Sequence, residues 1–116
     1  MRILVVEDEV DLADAIARGL TREGYAVDIA NDGAAAREKL DINPYDLVTL
    51  DLVLPGLDGW EVLKEIKSKP ESREIPIVIV SVREGRELGL ALGASDFFVK
   101  PIEPRGFLRR IRELLA

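Results

Sequence analysis

The chain has 116 residues, 47% hydrophobic and 33% charged, with 16 Lys and Arg against 22 Asp and Glu and a net charge of −6. It contains neither cysteine nor histidine, which excludes disulfides, thiolate nucleophiles, Ser-His-Asp triads and metal sites built on imidazole or thiolate. The acidic balance argues against direct nucleic-acid binding by charge, and no apolar run approaches the ~20 residues that span a bilayer.

Short apolar runs alternate with amphipathic stretches. Ile3–Val6 reads as a strand buried on both faces; it runs straight into Glu7-Asp8-Glu9, unlike a secretory signal. Leu12, Ile16 and Leu20 then mark a helix stopped near Gly24. Tyr25 to Ala30 alternates as a second strand, and Asn31-Asp32-Gly33 is a turn or N-cap signal. A weaker helix over Ala34 to Ile42 is broken by Asn43-Pro44. Leu47 to Leu52 reads as a third strand, with Leu54-Pro55-Gly56-Leu57-Asp58-Gly59 as its loop. Trp60, Leu63 and Ile66 form one apolar helix stripe. Asp58 reads as that helix's N-cap and Trp60 as packing. Pro76 to Ser81 is the fourth strand, Leu88–Leu92 a short helix and Phe97–Val99 the fifth strand. Phe107, Leu108, Ile111, Leu114 and Leu115 define the final helix. Five strands alternating with five helices, with no repeat or linker, predict one doubly wound α/β domain with a parallel sheet over residues 1–116. The pattern does not give the strand order. A membrane-free, cytoplasmic protein is the expectation.

Open parallel sheets bind ligands beyond the carboxyl ends of their strands. Here those ends carry Glu7 and Asp8, Asp51, Ser81, and Lys100-Pro101. Crowded carboxylates repel one another, and a divalent cation relieves this better than a proton. An all-oxygen site suits Mg²⁺, or Mn²⁺, and such a site accepts a phosphoryl group. Ser81 and Lys100 would supply a hydrogen bond and a positive charge, and a carboxylate is the nucleophile available, giving an aspartyl-phosphate.

Glu7-Asp8, the run Leu50 to Gly59, Ser81, Gly93-Ala94 and Lys100-Pro101, in this order across the whole chain, resemble the receiver domain of two-component response regulators. The resemblance implies a flavodoxin-like (βα)5 fold with strand order 2-1-3-4-5. It implies that Asp51 takes a phosphoryl group from a sensor histidine kinase or phosphotransfer protein and slowly dephosphorylates itself. The domain would then be a signalling module and not an enzyme acting on outside substrates. Asp8 and Asp51 would ligate Mg²⁺ through carboxylates, Val53 through its carbonyl, and Glu7 mainly through a water. Lys100 would contact the phosphoryl oxygens, with Pro101 following a cis bond. Ser81 and Phe97 would act as the switch, moving toward the phosphoryl group and turning inward respectively. Partners implied are the kinase and an output domain or second copy, docked through the fourth helix, fifth strand and fifth helix.

Three positions depart from the family pattern. Val82 stands where Ala or Gly is usual, Phe97 lacks the hydroxyl of the commoner Tyr, and the Ser81–Lys100 interval is short, which puts the fourth helix in doubt. From Lys100 onward five basic residues face two acidic ones, so this stretch carries +3 and the rest −9. That basic helix is either a solvated face or a docking surface. Other functions fit less well. A phosphohydrolase of the haloacid-dehalogenase kind wants a second Asp where Val53 stands. A flavin site wants phosphate-cradling donors where Glu7-Asp8-Glu9 stands, and a constitutive scaffold has no need of the acids and Lys100. Both a stand-alone receiver and part of a longer regulator fit this sequence.

Overall fold

The computed structural model describes residues 1–56 and 58–116. In chain order the elements are β1 (Arg2–Val6), α1 (Val10–Arg22), β2 (Ala26–Ala30), α2 (Gly33–Ile42), β3 (Leu47–Leu50), α3 (Gly59–Ser68), β4 (Ile77–Ser81), α4 (Arg86–Ala91), β5 (Asp96–Val99) and α5 (Pro104–Leu115). The strands pair in parallel in the order β2-β1-β3-β4-β5. This is the doubly wound arrangement that the alternation predicts, with the strand order that the resemblance implies.

The β-branched runs are explained by burial on both faces. Successive residues of β1 and its neighbours point to opposite sides. Leu4, Val6, Val48, Leu50, Ile77 and Ile79 pack with Ala36, Val62, Leu63 and Ile66 of α2 and α3. Ile3, Val5, Leu47, Val78 and Val80 pack with Ala13, Ile16, Leu20, Phe107 and Ile111 of α1 and α5. Among the described residues, no helix is long and apolar enough to cross a membrane.

Several element boundaries follow from caps. Asp32 accepts a hydrogen bond from Ala35 N at 2.8 Å and so starts α2. Asp58 starts α3 in the same way, accepting from Trp60 N at 3.0 Å. Gly24, which ends α1, has φ +98°, a conformation open to glycine at no steric cost.

Several bounds move by one residue, and two move by two. The third strand ends at Leu50, not Leu52, because the Leu52 carbonyl turns to accept Gly59 N instead of continuing the ladder. The fourth helix begins at Arg86, not Leu88, and has six residues. The short interval is thus absorbed by α4 itself, while β4 and β5 keep their register from Val78–Asp96 to Ser81–Val99.

At the opposite end of the sheet from the candidate site, the edge strand β2 is tied down by a polar cluster. Tyr45 Oη donates to Asp28 Oδ2 at 2.7 Å and Arg2 Nη1 donates to the same oxygen at 2.9 Å. The Tyr45 hydroxyl, helped by Arg2 and only partly opposed by burial, holds the Asp28 carboxyl below the usual range. Its contribution to stability is therefore complete above the ordinary carboxylate range and is lost as pH falls through its lowered native value. Tyr45→Phe should cost about 1 kcal/mol in urea denaturation at pH 7. That deficit should shrink as the medium is acidified and Asp28 takes up its proton.

Candidate functional site

The ends of β1 and β3 lie side by side, since Val6 is paired with Leu50. Each strand is followed directly by an acid, so Glu7 and Asp51 are neighbours by register alone. Glu7 is 1% exposed and Asp51 3% exposed, while Asp8 lies at the surface. Carboxylate oxygens of Glu7, Asp8 and Asp51 all lie within 4.8 Å of one another. The acids that the strand-end pattern points to are thus brought together.

Lys100 comes from the end of β5 and reaches across β4. Its Nζ lies 2.9 Å from Glu7 Oε1 and 3.1 Å from Asp51 Oδ2. Its own backbone N donates to the Ser81 carbonyl at 2.9 Å, which seats the side chain over the end of β4. The peptide between Lys100 and Pro101 is cis. The second Asp51 oxygen, Oδ1, accepts from Val53 N at 3.0 Å, so the carboxylate is oriented from both sides.

Burial pushes the Glu7 carboxyl up to about 7, with the Asp51 charge adding to it against hydrogen bonds from Lys100 and the Glu9 backbone. Burial opposes the charge on Lys100, but the hydrogen bonds and charges of Glu7 and Asp51 prevail and its ammonium is held to higher pH. Native Glu7 therefore keeps its proton to higher pH than in the unfolded chain. This group weakens the fold as pH rises from the ordinary carboxylate range through about 7.

Fully ionised, three carboxylates against one ammonium leave a charge of about −2 at one mouth. The donors are hard oxygens, and the charge matches a divalent cation, so the residues present fit Mg²⁺ or Mn²⁺.

Ser81 is fully buried, and its Oγ accepts from Arg83 N at 3.3 Å. Phe97 is 3% exposed, packed among the core residues and already turned inward. Val82 is 65% exposed, directed to solvent. Asp58 is occupied as a cap, and Trp60 is half-buried against the core formed with α2 and α3. Asn31 escaped the sequence reading as a site residue. Its side-chain amide donates to the Glu7 carbonyl at 2.9 Å, fixing the acidic loop from β2. A turn residue carries no signal for such a contact, which depends on the pairing of β1 with β2.

Removing Lys100 isolates the carboxylates of Glu7 and Asp51. Lys100→Met should cost about 3 kcal/mol at pH 8 in urea denaturation, the usual consequence of an uncompensated buried charge. The deficit should narrow at pH 6, because Glu7, relieved of the ammonium, is pushed up further and takes a proton.

The chain matches the family model described as "Response regulator receiver domain" over residues 3–112. It is 43% identical over 116 residues to the response regulator ArlR of Staphylococcus epidermidis, covering 97% of this chain and 52% of that protein. Among solved structures it is similar to the non-phosphorylated HemR receiver domain of Leptospira biflexa. There the TM-score is 0.90 at 30% identity, covering 99% of this chain and 94% of that one. It is also similar to a CheY-like response regulator receiver domain protein of Methanospirillum hungatei, with TM-score 0.91 and 29% identity, covering 98% of this chain and 92% of that one. The chain spans about half the length of the curated relatives it matches. It belongs to the response regulator receiver domain family, signalling domains whose general function is phosphoryl acceptance by an aspartate.

Proposed function

We propose that this chain, as a member of the receiver family, works over residues 1–116 as one phosphoryl-accepting switch with Asp51 as the acceptor. The observation that carries this is the pairing of Asp51 with Lys100 inside a ring of acids, since it puts a nucleophilic carboxylate and a fixed cation at one buried point. In the forward step an Asp51 carboxylate oxygen attacks the phosphorus of a phosphohistidine on a sensor histidine kinase or phosphotransfer protein. The O–P bond forms, the P–N bond breaks, and the imidazole leaves with the bonding pair and regains its proton from solvent. Water later attacks the phosphorus, restoring the Asp51 carboxylate and releasing inorganic phosphate, the slow self-dephosphorylation that membership of the family implies. The chain has no histidine, so the donor comes from another protein.

Asp8 and Asp51 through carboxylates, Val53 through its carbonyl and Glu7 through a water would hold Mg²⁺, with Mn²⁺ as an alternative; when bound, such an ion would supply the positive charge that offsets the acids and polarises phosphoryl oxygens. Lys100 exchanges its contact with Asp51 for one with the phosphoryl oxygens. Ser81 Oγ, which among the described residues accepts the long contact from Arg83 N and donates to none, can donate to a phosphoryl oxygen. Phe97, without a hydroxyl, contributes to the switch by packing alone. A coupling on the order of 1–3 kcal/mol suffices to shift the population of such states.

Output would pass to another domain or a second copy through α4, β5 and α5, where Leu88, Leu90 and Val99 are exposed apolar residues. On α5, Arg110 and Arg112 are already engaged with Asp96 and Glu23 in the same chain. A cytoplasmic location fits donor and output alike.

Incubation with acetyl phosphate and Mg²⁺ should add one phosphoryl group, read by intact-mass spectrometry. Asp51→Asn should abolish the label, and chelation of divalent ions should slow it by at least about a hundredfold. Equal labelling of the Asn variant would refute the assignment.

A further inference from the structure

Gly59 opens α3 where the helix meets the strand-end loop. A methyl carbon at this position would lie 2.4 Å from the Asp51 carbonyl oxygen, 2.5 Å from Leu52 Cα and 2.9 Å from the Leu52 carbonyl carbon. Non-bonded carbons sit near ~3.5 Å, so the two segments would have to part by roughly 1 Å. The obstructing atoms are backbone and cannot swing aside. At Gly89, by contrast, the near atoms are the Ile79 and Phe97 side chains, at 3.0 and 3.2 Å.

The peptide that Gly59 rests upon is the one that orients the acceptor. Gly59 N donates to the Leu52 carbonyl at 3.1 Å, and Val53 N, one residue further on, donates to Asp51 Oδ1 at 3.0 Å. Asp58 anchors the same helical turn by capping Trp60 N. α3 thus presses on the Asp51–Val53 backbone through the one position whose side chain is absent.

We propose that Gly59 is a positioning residue for the acceptor: its missing side chain lets α3 seat on the Asp51–Leu52 peptide and so holds the Asp51 carboxylate and the Val53 backbone in cation-binding arrangement. The cation half of this rests on the function proposed above. The backbone half rests on the contacts alone. Parting the two segments moves Val53 N away from Asp51 Oδ1 and shifts the Val53 carbonyl, two site groups displaced by one methyl group.

The test compares Gly59→Ala with Gly24→Ala in the unphosphorylated protein. Gly24 has φ +98° with no atom of the described residues within 4 Å of an added methyl, so alanine there strains the fold without touching the site. Calorimetric titration with magnesium chloride should show binding weakened about tenfold or more by Gly59→Ala and within about twofold of the parent for Gly24→Ala. Hydrogen exchange at the Val53 amide should accelerate about tenfold relative to core amides in Gly59→Ala only. Unchanged Mg²⁺ affinity and Val53 exchange in Gly59→Ala overturn the proposal, as does an equal loss of affinity in Gly24→Ala. A parent that binds no Mg²⁺ overturns the metal reading instead, and Val53 exchange then decides the positioning role. Should Gly59→Ala fail to fold, Asp58→Ala and Asp58→Ser replace it. Both remove the same charge, but only alanine releases the first turn of α3. Faster Val53 exchange in Asp58→Ala than in Asp58→Ser supports the role, and equal exchange overturns it.

Discussion

The ammonium of Lys100, shared between two buried carboxylates, is the interaction on which this end of the molecule depends. Two acids at adjacent strand ends are a consequence of register: once Val6 is opposite Leu50, whatever follows each strand must meet. Without a cation, close carboxylates would drive one of them to hold a proton. Lys100 cannot come from a neighbouring strand, because β4 lies between β3 and β5. A long flexible stem rooted on the Ser81 carbonyl spans that gap, which a shorter side chain would not. One ammonium against three carboxylates also leaves the site short of positive charge. That shortfall suits a divalent cation more than a static structural bridge.

Much of this was legible before any coordinates. Strands buried on both faces announce themselves as unbroken runs such as Ile3–Val6 and Ile77–Val80, and their ends are where chemistry must sit. Glu7, Asp8, Asp51, Ser81 and Lys100 could therefore be named from position alone. The strand order could not, because runs so alike in composition pair equally well in several orders; it came from resemblance to a family. The end of β3 lies two residues before the point the pattern predicts, because Asp51 and Leu52 continue the strand pattern while the cause of termination, the approach of Gly59, lies in tertiary contact. Asn31 was missed for the same kind of reason. Its contact joins segments 24 residues apart that only the sheet brings together.

The fourth helix was the least legible element, and its hold explains why. Six residues provide few internal hydrogen bonds, and Leu88 and Leu90 face outward. What fastens α4 is tertiary. Gly89 lets the helix lie against Ile79 and Phe97, while Arg86 donates to the Phe97 carbonyl at 2.7 Å and to Asp96 Oδ1 at 2.9 Å. Asp96 Oδ2 is taken by Arg110 of α5 at 2.8 Å, so one carboxylate ties α4, β5 and α5 together.

This arrangement constrains how any change at Asp51 could travel. In the sheet, β4 is wholly buried and its register is set on both sides by β3 and β5. Ser81 is the last residue of β4, and only Val82 to Gly85 separate it from α4. A displacement of Ser81 toward a phosphoryl oxygen, as proposed above, would thus be passed to the four-residue loop and α4, not to the strands. Phe97 is linked to that helix twice, through its ring against Gly89 and through its carbonyl to Arg86. Movement of α4 must therefore either carry Phe97 along or break both links. Segments of low local stability are where conformational change is drawn from. In this chain the only backbone between Ser81 and α4 is the loop Val82 to Gly85, so a shift of that hydroxyl would reach α4 first.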